Sequence, residues 1–599
     1  MLRKIVTMSS AVVGALILAA LLAQPVAAAD KALAVEAAPA AKLPPAAQWI
    51  PKDAVLAVEL TRPKDLLDLA LDPKVVAAVA AAPAYQKATA APGFQQFRQV
   101  VKYLEFTLGT DWRKGLYKLL GGGITWAVTP NGASLLVIDA EDAKMLQQLH
   151  EVFLTFAKAE AEKRGKPERV ASADYRGVTG WTFAPDEAHA ILGNRLVMTN
   201  KPDALKAVID LRDAPQGESL ASLPAYRAAK EAAGADATAS AYVNLAVVKK
   251  VPGVQKGLKD SNNPMGALLL GALADAARAS NWLAMQLRVE GETVSLRTTM
   301  DGKPEGASAQ TAFAWPKLPD QGALPHLPIP RQIAALSLYR DLHAFYAAKD
   351  QLFPERTSGL IFFENMMGIF FSGRDLTEDI LAQPKPEIRL VVAEQKYDPE
   401  IGTPKTQLPA VAAVFRLRNP KKYADVVEAA WQKFVGLINV TRGQKAEAGL
   451  VIDRLTHNGI RYTVAYFATD PDEKEVGAHL NFRPALVKLG EYLVLSSTEG
   501  LAKDLIDALK QESAGPLKPL AGVHSALAFD AVQLASILDA NRDNLVRQNM
   551  VEKGATQEQA EAQIGLLLTA VKYLGQTTLT FGTVDGRQEA RLDVKLNLP

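Results

Sequence analysis

The 599-residue chain contains no cysteine. It therefore forms neither disulfides nor thiolate metal sites, and a chain of this length must be stabilised by a large buried core. It also has almost no net charge, since 67 Lys and Arg residues stand against 65 Asp and Glu residues. This balance gives little long-range attraction to nucleic acid or to an anionic membrane. We expect no nucleic-acid partner.

Long hydrophobic runs are scarce as well. The apolar run Ala11–Ala23 has 13 residues, fewer than the roughly 18–20 that span a bilayer. Two basic residues precede it and three alanines follow, the pattern of a secretory signal peptide. We predict a signal peptide over 1–29, cleavage near Ala29/Asp30, a periplasmic or secreted location, and no membrane span after cleavage. An uncleaved N-terminal anchor is the alternative.

Two proline-rich stretches predict the domain boundaries. An Ala/Pro-rich segment over 30–46 is predicted to be a tether. Prolines recur over 304–326, where they disfavour helices and sheet ladders and indicate an interdomain linker. The remaining ranges, 47–303 and 327–599, predict two domains of ordinary size.

An internal repeat relates the two ranges. GTDWRKGLYKLLGGGITWAVT (109–129) aligns without a gap with GRDLTEDILAQPKPEIRLVVA (373–393). Both segments predict an aspartate N-cap (Asp111 and Asp375), a short amphipathic helix, a breaker and a strand. The repeat therefore predicts one module present twice.

The repeat continues along both halves. Residues 134–156 match 413–434 at an offset of 278, which places His150 on Glu428. Further alternating strands, hairpin turns and helices follow in the same order. The strands mostly come in hairpins, with helices between groups of strands. We therefore predict an α+β fold of two homologous tandem domains, each a mainly antiparallel sheet packed by helices on one face.

The shared elements include a proline-led opening strand, a Gly-x-Asp helix before a strand, and a Gly-Asn-Arg or Gly-Glu-Tyr turn into a short strand (193–195 and 490–492). In this series the chain resembles a family of exported bacterial proteins defined only as a domain of unknown function. The resemblance extends over most of the chain after the signal peptide. It implies no activity, cofactor or site residue.

The glycine triplet at 121–123 is the first candidate for a phosphate-binding loop. Such a loop follows a strand and opens a helix, whereas these glycines close a helix and lead into a strand. Their counterpart in the second copy is Gln383–Pro386, and proline lacks the N–H groups that bind an anion. We interpret the triplet as a helix stop.

Histidine patterns do not predict a metal site. The chain has seven histidines and none lies within four residues of another, which excludes the short His-x-His and His-x-x-x-His pairs; they are His150, His189, His326, His343, His457, His479 and His524. His150 is predicted on a solvent-facing side of its helix. His189 and His479 are predicted in roughly equivalent, exposed strands.

Other signatures of chemistry are also missing. There is no G-x-S-x-G elbow, S-x-x-K or H-E-x-x-H. The acidic segment DPDEKE (470–475) lacks the ligand spacing of a calcium loop and predicts a solvated turn. We assign no catalytic, cofactor-binding or metal-binding residue and no cofactor, and we predict that the chain is not an enzyme.

Apolar segments are the strongest remaining feature. Residues 266–277, 564–574 and 361–371 predict helices buried against the sheet, and tryptophans 126, 181, 282 and 431 predict core positions. The alternative is that such helices enclose a pocket for an apolar ligand.

Three hypotheses of function follow. The first is an exported non-enzymatic binding or scaffold protein of the cell envelope, with an unknown protein partner. The second is a carrier of a lipid or other apolar ligand in a helix-covered pocket. The third is a hydrolase whose site is assembled from distant residues.

Overall fold

The computed structural model describes residues 44–598 except 81–82, 185, 215–217, 252, 255–262, 303–310, 319, 354–356, 398, 400–401 and 468–475. The predicted signal peptide, most of the tether and the DPDEKE segment lie outside this range. The chain divides into two compact units. Unit 1 comprises the residues up to 255 together with Ser280–Asp301, and unit 2 comprises Lys256–Ala279 and Gly302–Asn597.

Unit 1 contains nine α-helices among its described residues. They are α1 (Pro63–Leu71), α2 (Pro73–Ala80), α3 (Pro83–Ala90), α4 (Pro92–Leu108), α5 (Trp112–Leu120), α6 (Ala143–Lys163), α7 (Pro202–Asp213), α8 (Pro224–Ala233) and α9 (Leu245–Val248). Its strands are β1 (Leu56–Leu60), β2 (Gly123–Val128), β3 (Ser134–Asp139), β4 (Ala171–Tyr175), β5 (Val178–Thr182), β6 (Ala188–Leu192), β7 (Arg195–Thr199), β8 (Ala239–Asn244), β9 (Trp282–Glu290) and β10 (Thr293–Met300). Short 3₁₀ turns cover Ala46–Gln48, Pro167–Arg169 and Leu220–Ser222.

Unit 2 has the same sequence of strands. They are β11 (Gln332–Tyr339), β12 (Pro384–Ala393), β13 (Ala410–Leu417), β14 (Leu450–His457), β15 (Ile460–Phe467), β16 (Ala485–Leu489), β17 (Tyr492–Ser496), β18 (Val523–Asp530), β19 (Gln576–Val584) and β20 (Arg587–Lys595). Its described helices are α10 (Pro264–Ala279), α11 (Leu342–Ala347), α12 (Lys349–Leu352), α13 (Thr357–Phe370), α14 (Pro420–Gly443), α15 (Glu499–Ser513), α16 (Ala531–Ala540), α17 (Arg542–Lys553) and α18 (Gln557–Tyr573). A π-helical turn covers Leu376–Leu381, and 3₁₀ turns cover Ala312–Ala314 and Ala478–Asn481.

The two sheets have one topology. In unit 1 the strand order is β10-β9-β8-β1-β2-β3-β7-β6-β5-β4, and every pairing is antiparallel. In unit 2 the order is β20-β19-β18-β11-β12-β13-β17-β16-β15-β14, again antiparallel throughout. Each strand of one unit therefore has a counterpart at the same place in the other, and the predicted α+β fold is confirmed.

Local devices repeat as well. The β4–β5 turn has positive φ at Arg176 (47°) and Gly177 (72°), and the β14–β15 turn repeats this at Asn458 (47°) and Gly459 (78°). Positive φ at both central residues is the requirement of a tight hairpin turn that matches strand twist.

The following helix anchors each turn through one aspartate. Asp210 on α7 accepts a hydrogen bond from the Tyr175 hydroxyl at 3.0 Å, and Asp507 on α15 contacts the His457 ring at 3.0 Å. The hairpin and helix thus dock alike in both units.

Helices cover both faces of the unit 2 sheet, so the predicted single helical face is wrong there. Val487 and Val494 belong to the core under α15. Their neighbours Leu486 and Leu493 belong to the core under α14. Successive side chains of a strand point to opposite faces, and these strands are apolar on both.

The boundary between the units departs from the predicted ranges 47–303 and 327–599. Helix α10, expected in the first domain, belongs to unit 2. The expected linker 304–326 is also folded where it is described, since Phe313, Trp315 and Leu324 are buried. The prolines of that stretch prevent regular structure but do not prevent packing.

Arg340 fastens α10 within unit 2. Its side chain is fully buried and donates to the carbonyl oxygens of Leu268 (2.6 Å) and Leu269 (3.1 Å) on that helix. It also donates to the His524 carbonyl (3.1 Å) and the Ser525 hydroxyl (2.9 Å). Burial lowers the pKa of Arg340 to about 10, so the guanidinium keeps its charge at neutral pH.

Two of the three apolar helices, α13 and α18, differ from the prediction of burial against the sheet. The described part of α13 packs Leu360 and Met367 on the core but exposes Ile361, Phe362 and Ile369. Helix α18 packs with neighbouring helices through Ile564 and Leu568. In the part of the chain that is described, no helix is long and apolar enough to cross a bilayer.

The glycine triplet closes α5 and opens β2, as predicted. Asp111 caps the helix, its carboxylate accepting from the Arg113 N–H at 2.9 Å. A Cβ on Gly122 would lie 2.5 Å from the Asp139 carbonyl oxygen. The glycine is thus required by a close backbone approach.

Candidate functional site

Unit 1 has an open cleft of about 720 Å³ at the turn ends of β5 and β6. Helix α6 forms one wall, and the segment before β1 with the end of α7 forms another. The polar lining residues are Gln147, His150, Glu151, Thr179 and Arg212. The larger apolar lining residues are Trp49, Val178, Trp181, Ile191 and Leu192. We call this the β5–β6 cleft.

The cleft lies where two neighbouring strands separate. β5 and β6 pair only at Trp181 and His189. Beyond that pair Val178 of β5 and Leu192 of β6 are not paired with each other, and both line the cleft. The corresponding strands of unit 2, β15 and β16, pair at three consecutive positions starting from Tyr462 and Val487. Unit 1 therefore has fewer pairs between these two strands, although Ile460 and Leu489, which match Val178 and Leu192, also lie outside the paired positions of unit 2.

A buried arginine positions one aromatic wall. Arg195 is 1% exposed and donates to both carboxylate oxygens of Asp139, at 2.6 and 2.9 Å. Its guanidinium lies 4.3 Å from the ring centre of Trp49 and donates to the Pro44 carbonyl at 2.9 Å. Such stacking with a charge-assisted pair stabilises a partly desolvated arginine. Pro44 and Trp49 are consequently held at the cleft.

Two histidines and a glutamate form a hydrogen-bonded chain at the α6 wall. Nε2 of His150 lies 3.0 Å from Nε2 of His189. Nδ1 of His189 contacts a carboxylate oxygen of Glu187. The other oxygen of Glu187 accepts the backbone N–H of Phe183 at 2.8 Å. His189 and Glu187 are buried, whereas His150 is half-buried and lines the cleft.

The chain fixes the position of its protons. An ionised carboxylate only accepts hydrogen bonds, so Nδ1 of His189 carries the proton toward Glu187. With both rings neutral, Nε2 of His189 then accepts from Nε2–H of His150. Burial, followed by the nearby His189, lowers the pKa of His150. The lowered pKa favours the neutral form of His150, and Nδ1 of that form is an acceptor when Nε2–H is donated to His189.

Aromatic rings surround the pair. Phe183 lies 4.5 Å from the His189 ring centre, edge to face. His150 meets Trp181 edge to face at 5.9 Å. These rings exclude water from the inner histidine and leave one side of the outer histidine to the cleft. Trp181, predicted as a core residue, is therefore a cleft residue.

The remaining polar groups of the cleft differ in their partners. Arg212 pairs with Asp213 at 2.7 Å, and Thr179 donates to Asp174 at 2.7 Å. Among the described residues, neither the Glu151 carboxylate nor the Gln147 amide has a hydrogen-bond or ion-pair partner. The cleft therefore presents an uncompensated carboxylate beside the free nitrogen of His150.

Unit 2 places an ion-pair cluster at the corresponding position. Glu428 stands where unit 1 has His150, and it accepts from Lys488 at 2.6 Å and Arg454 at 2.7 Å. Lys488 is the fourth residue of β16, as Ile191 is of β6. The same scaffold thus carries a histidine pair in one unit and an ion-pair triad in the other.

The other histidines are dispersed. His326 contacts Ser337 (3.0 Å), His343 contacts Glu378 (3.2 Å) and His524 contacts Ser525 (2.9 Å). His479 lies in a 3₁₀ turn, not in a strand equivalent to that of His189, so that part of the prediction is wrong. Within the described ranges, no group of three or more His, Asp and Glu side chains is arranged to hold a metal ion.

Sequence reasoning named His150 and His189 but did not bring them together. They lie 39 residues apart, and His150, predicted on a solvent-facing side of its helix, is half-buried and lines the open cleft. One signal was present: at the matched position the second copy has Glu428, so the two copies differ in chemistry there.

Comparisons with known proteins give a family and little else. A sequence profile described as "Protein of unknown function (DUF3352)" matches residues 10–323, just over half of the chain. No curated protein matches.

Among solved structures, crystal form IV of TP0453 is similar with 8% identity over 42% of this chain and 79% of that chain, at a TM-score of 0.23. Crystal form I of TP0453 shows 10% identity over 44% and 79%, at a TM-score of 0.22. Scores this low carry no argument about fold or function.

Proposed function

We propose, for a chain that belongs to the DUF3352 family of proteins of unknown function, that it is an exported, non-enzymatic binding protein that takes a small amphiphilic ligand in the β5–β6 cleft. The observation that carries the proposal is the separation of β5 from β6 beyond a single pair, Trp181 and His189. A ligand-sized cleft that combines apolar walls with specifically placed polar groups is the usual form of a small-molecule site.

The lining supports this function over the two other hypotheses. A lipid carrier needs a predominantly apolar pocket, whereas about half of the named lining residues are polar. A hydrolase of the serine type needs a nucleophile beside a histidine. The described lining has no serine, and its Thr179 hydroxyl donates to Asp174. Binding is what these groups support best.

The tryptophans provide the test. The chain has seven tryptophans, so 5-fluorotryptophan labelling gives seven fluorine resonances. We expect fragments from a library of charged and neutral aromatic compounds to shift Trp49 and Trp181 while leaving Trp282 and Trp431 unchanged. Single Trp→Phe variants assign the signals. Fragments that shift only tryptophans outside the cleft, or none at all, would refute the site.

Export is part of the proposal and rests on the N-terminal pattern described above. We expect the chain to be released with the periplasmic or extracellular fraction, with Asp30 as its first residue. N-terminal sequencing checks this, and Ala29→Arg should block cleavage because the cleavage site requires small residues. A first residue upstream of the apolar run would show that the leader is retained.

A further inference from the structure

The free hydrogen-bonding groups of the β5–β6 cleft select for a particular ligand chemistry. Within the described part of the chain, Nδ1 of His150 makes no hydrogen bond, since Nε2 is the nitrogen that meets His189. In the neutral pair Nε2 carries the proton, so Nδ1 offers a lone pair. The first free group of the cleft is therefore an acceptor.

A second free group, the Glu151 carboxylate, is also an acceptor, whereas the free Gln147 amide both donates and accepts. Glu151 follows His150 on α6, is exposed and lines the same cleft. The cation on the lining, Arg212, is already neutralised by Asp213 at 2.7 Å. Two adjacent acceptors, one of them charged, call for a ligand that brings donors and positive charge.

The walls are suited to the rest of such a ligand. Trp49 and Trp181 supply aromatic surface, and indole faces attract organic cations as well as apolar groups. Val178, Ile191 and Leu192 add aliphatic surface. A protonated amine on an aromatic or aliphatic body would satisfy acceptors and walls together.

We propose that the β5–β6 cleft binds an organic ammonium ligand through Nδ1 of His150 and the carboxylate of Glu151, and that uptake of a proton by His150 releases it. This inference rests on the proposed binding function and adds the ligand class and a control by pH. Protonated His150 carries Nδ1–H, which can no longer accept, and its charge repels an ammonium group.

Several charged groups face His150 and set the direction of the switch. Glu151 on its own helix and Glu187 behind His189 favour the protonated ring, while burial and His189 itself favour the neutral one. Arg212 and Asp213 from α7 form a neutral pair. Lys158 lies 5.7 Å from the ring centre of Trp181 and adds positive charge near the cleft. The net effect lowers the pKa of His150 below its usual 6.5.

The sign of the pH dependence follows from this. The ligand is bound by the neutral form of His150, which dominates above its lowered pKa. Affinity should be constant from neutral pH upward, as long as the amine stays protonated, and fall by up to about tenfold per pH unit once His150 is protonated.

Three probes of similar size distinguish the ligand classes. Calorimetric titrations would use 2-phenylethylammonium, 2-phenylethanol and 3-phenylpropanoate with the purified full chain, at pH 8 and pH 5. We expect the ammonium to bind at least tenfold tighter than the carboxylate at pH 8 and to lose affinity severalfold at pH 5. Tighter binding of the carboxylate or the alcohol would overturn the inference while leaving the cleft a binding site.

Two variants separate the roles of the acceptors. His150→Gln keeps an acceptor that does not titrate, so it should bind the ammonium at pH 8 and show little change at pH 5. Glu151→Gln should weaken ammonium binding about tenfold and leave the alcohol unchanged. Glu428→Gln, at the position of unit 2 that corresponds to His150, is the matched control and should change neither. Persistence of the pH effect in His150→Gln contradicts the switch.

The proton positions have their own readout. Imidazole ¹⁵N spectra at neutral pH should show His150 protonated on Nε2 and His189 on Nδ1. Absence of binding by all three probes, with these tautomers intact, would overturn the ligand class. The fragment screen on the tryptophans would then decide separately whether the cleft binds anything.

Discussion

The two units share ten strands in the same order, yet they differ at the positions where helices meet the sheet. Unit 1 separates β5 from β6 and places a histidine pair at the gap. Unit 2 pairs β15 and β16 at three positions and places the Glu428 ion pairs at the position that matches His150. Strand order is fixed by many backbone hydrogen bonds, whereas a few side chains decide the chemistry at the matched positions. The duplicated scaffold has therefore diverged in chemistry without changing topology.

The largest difference in stability between matched substitutions is expected at two arginines. Arg62 and Arg340 correspond at the offset of 278, but Arg62 has a side chain 49% exposed and pairs with Asp65 at 2.8 Å. Arg340→Ala removes a buried cation from several acceptors and should destabilise α10 by about 3 kcal/mol or more. Hydrogen exchange by mass spectrometry should show lost protection in α10 and β18.

Arg62→Ala is the matched control, with an expected cost below about 1 kcal/mol because its ion pair is exposed to solvent. Equal losses of protection in the two variants would show that Arg340 does not hold α10.

Substitution of Gly122, in the glycine triplet that ends α5, is expected to cause the next largest loss of stability. Gly122→Ala places a Cβ 2.5 Å from the Asp139 carbonyl oxygen, so we expect a loss of about 2 kcal/mol in unit 1. Thermal unfolding followed by the fluorine signal of Trp126, on the adjoining strand β2, measures it. The control is Gly115→Ala within α5, where the added Cβ makes only an ordinary contact at 3.5 Å and should stabilise the helix by up to about 1 kcal/mol.

Introducing the unit 2 ion-pair triad into unit 1 tests which groups of the β5–β6 cleft bind the ligand. His150→Glu, Ile191→Lys and Ser172→Arg together put the Glu428, Lys488 and Arg454 pattern into unit 1. We expect the affinity of cleft ligands, measured by titrating the fluorine shift of Trp181, to fall at least tenfold, or about 1.4 kcal/mol. The reason is that the introduced ion pairs replace the acceptor nitrogen of His150 and fill the space beside it. Unchanged binding by a folded triple variant would mean that the ligand uses other groups.

The smallest effect is the contribution of the unit 2 triad to stability. Hydrogen bonding from Lys488, and then from Arg454, lowers the pKa of Glu428 below its ordinary 4.5. A lowered folded-state pKa gives stability that is present above the unfolded pKa and lost as pH falls through the folded one. Glu428→Gln should therefore cost under about 1 kcal/mol at pH 7 and nothing near pH 2. Urea titrations at both pH values measure the difference, and a cost that persists at low pH would argue against an ionic origin.

The sequence predicted the module and its duplication because both depend on local patterns. Alternating residues in β2 and β12, the aspartate caps at Asp111 and Asp375, and the glycine turns at 193 and 490 are short-range signals. They predicted strands such as β2, β7 and β12 with the helices beside them, but they did not predict β4 or β14. The antiparallel arrangement then followed from hairpins and the position of helices between them.

What the sequence did not predict depends on contacts between distant segments. His150 and His189 meet through packing of α6 on the sheet, and no periodicity encodes that distance. The proline stretch of 304–326 looked like a spacer because proline breaks ladders, but Phe313 and Trp315 bury against unit 2. Helix α10 has the apolar pattern of a core helix, but this pattern does not predict whether the helix packs in unit 1 or in unit 2.

Helix α10 also affects the order in which the two units can fold during synthesis. It leaves the ribosome before Arg340 and before β18, the segments that receive it in unit 2. Strands β9 and β10 of unit 1 come after it in the chain. Unit 1 is therefore completed by β9 and β10. At that time α10 has already been synthesised, but the residues of unit 2 on which it packs have not. Cutting the chain at a single position between the repeats therefore cannot yield two intact units. The folding of unit 2 depends on a helix that lies within the sequence of unit 1.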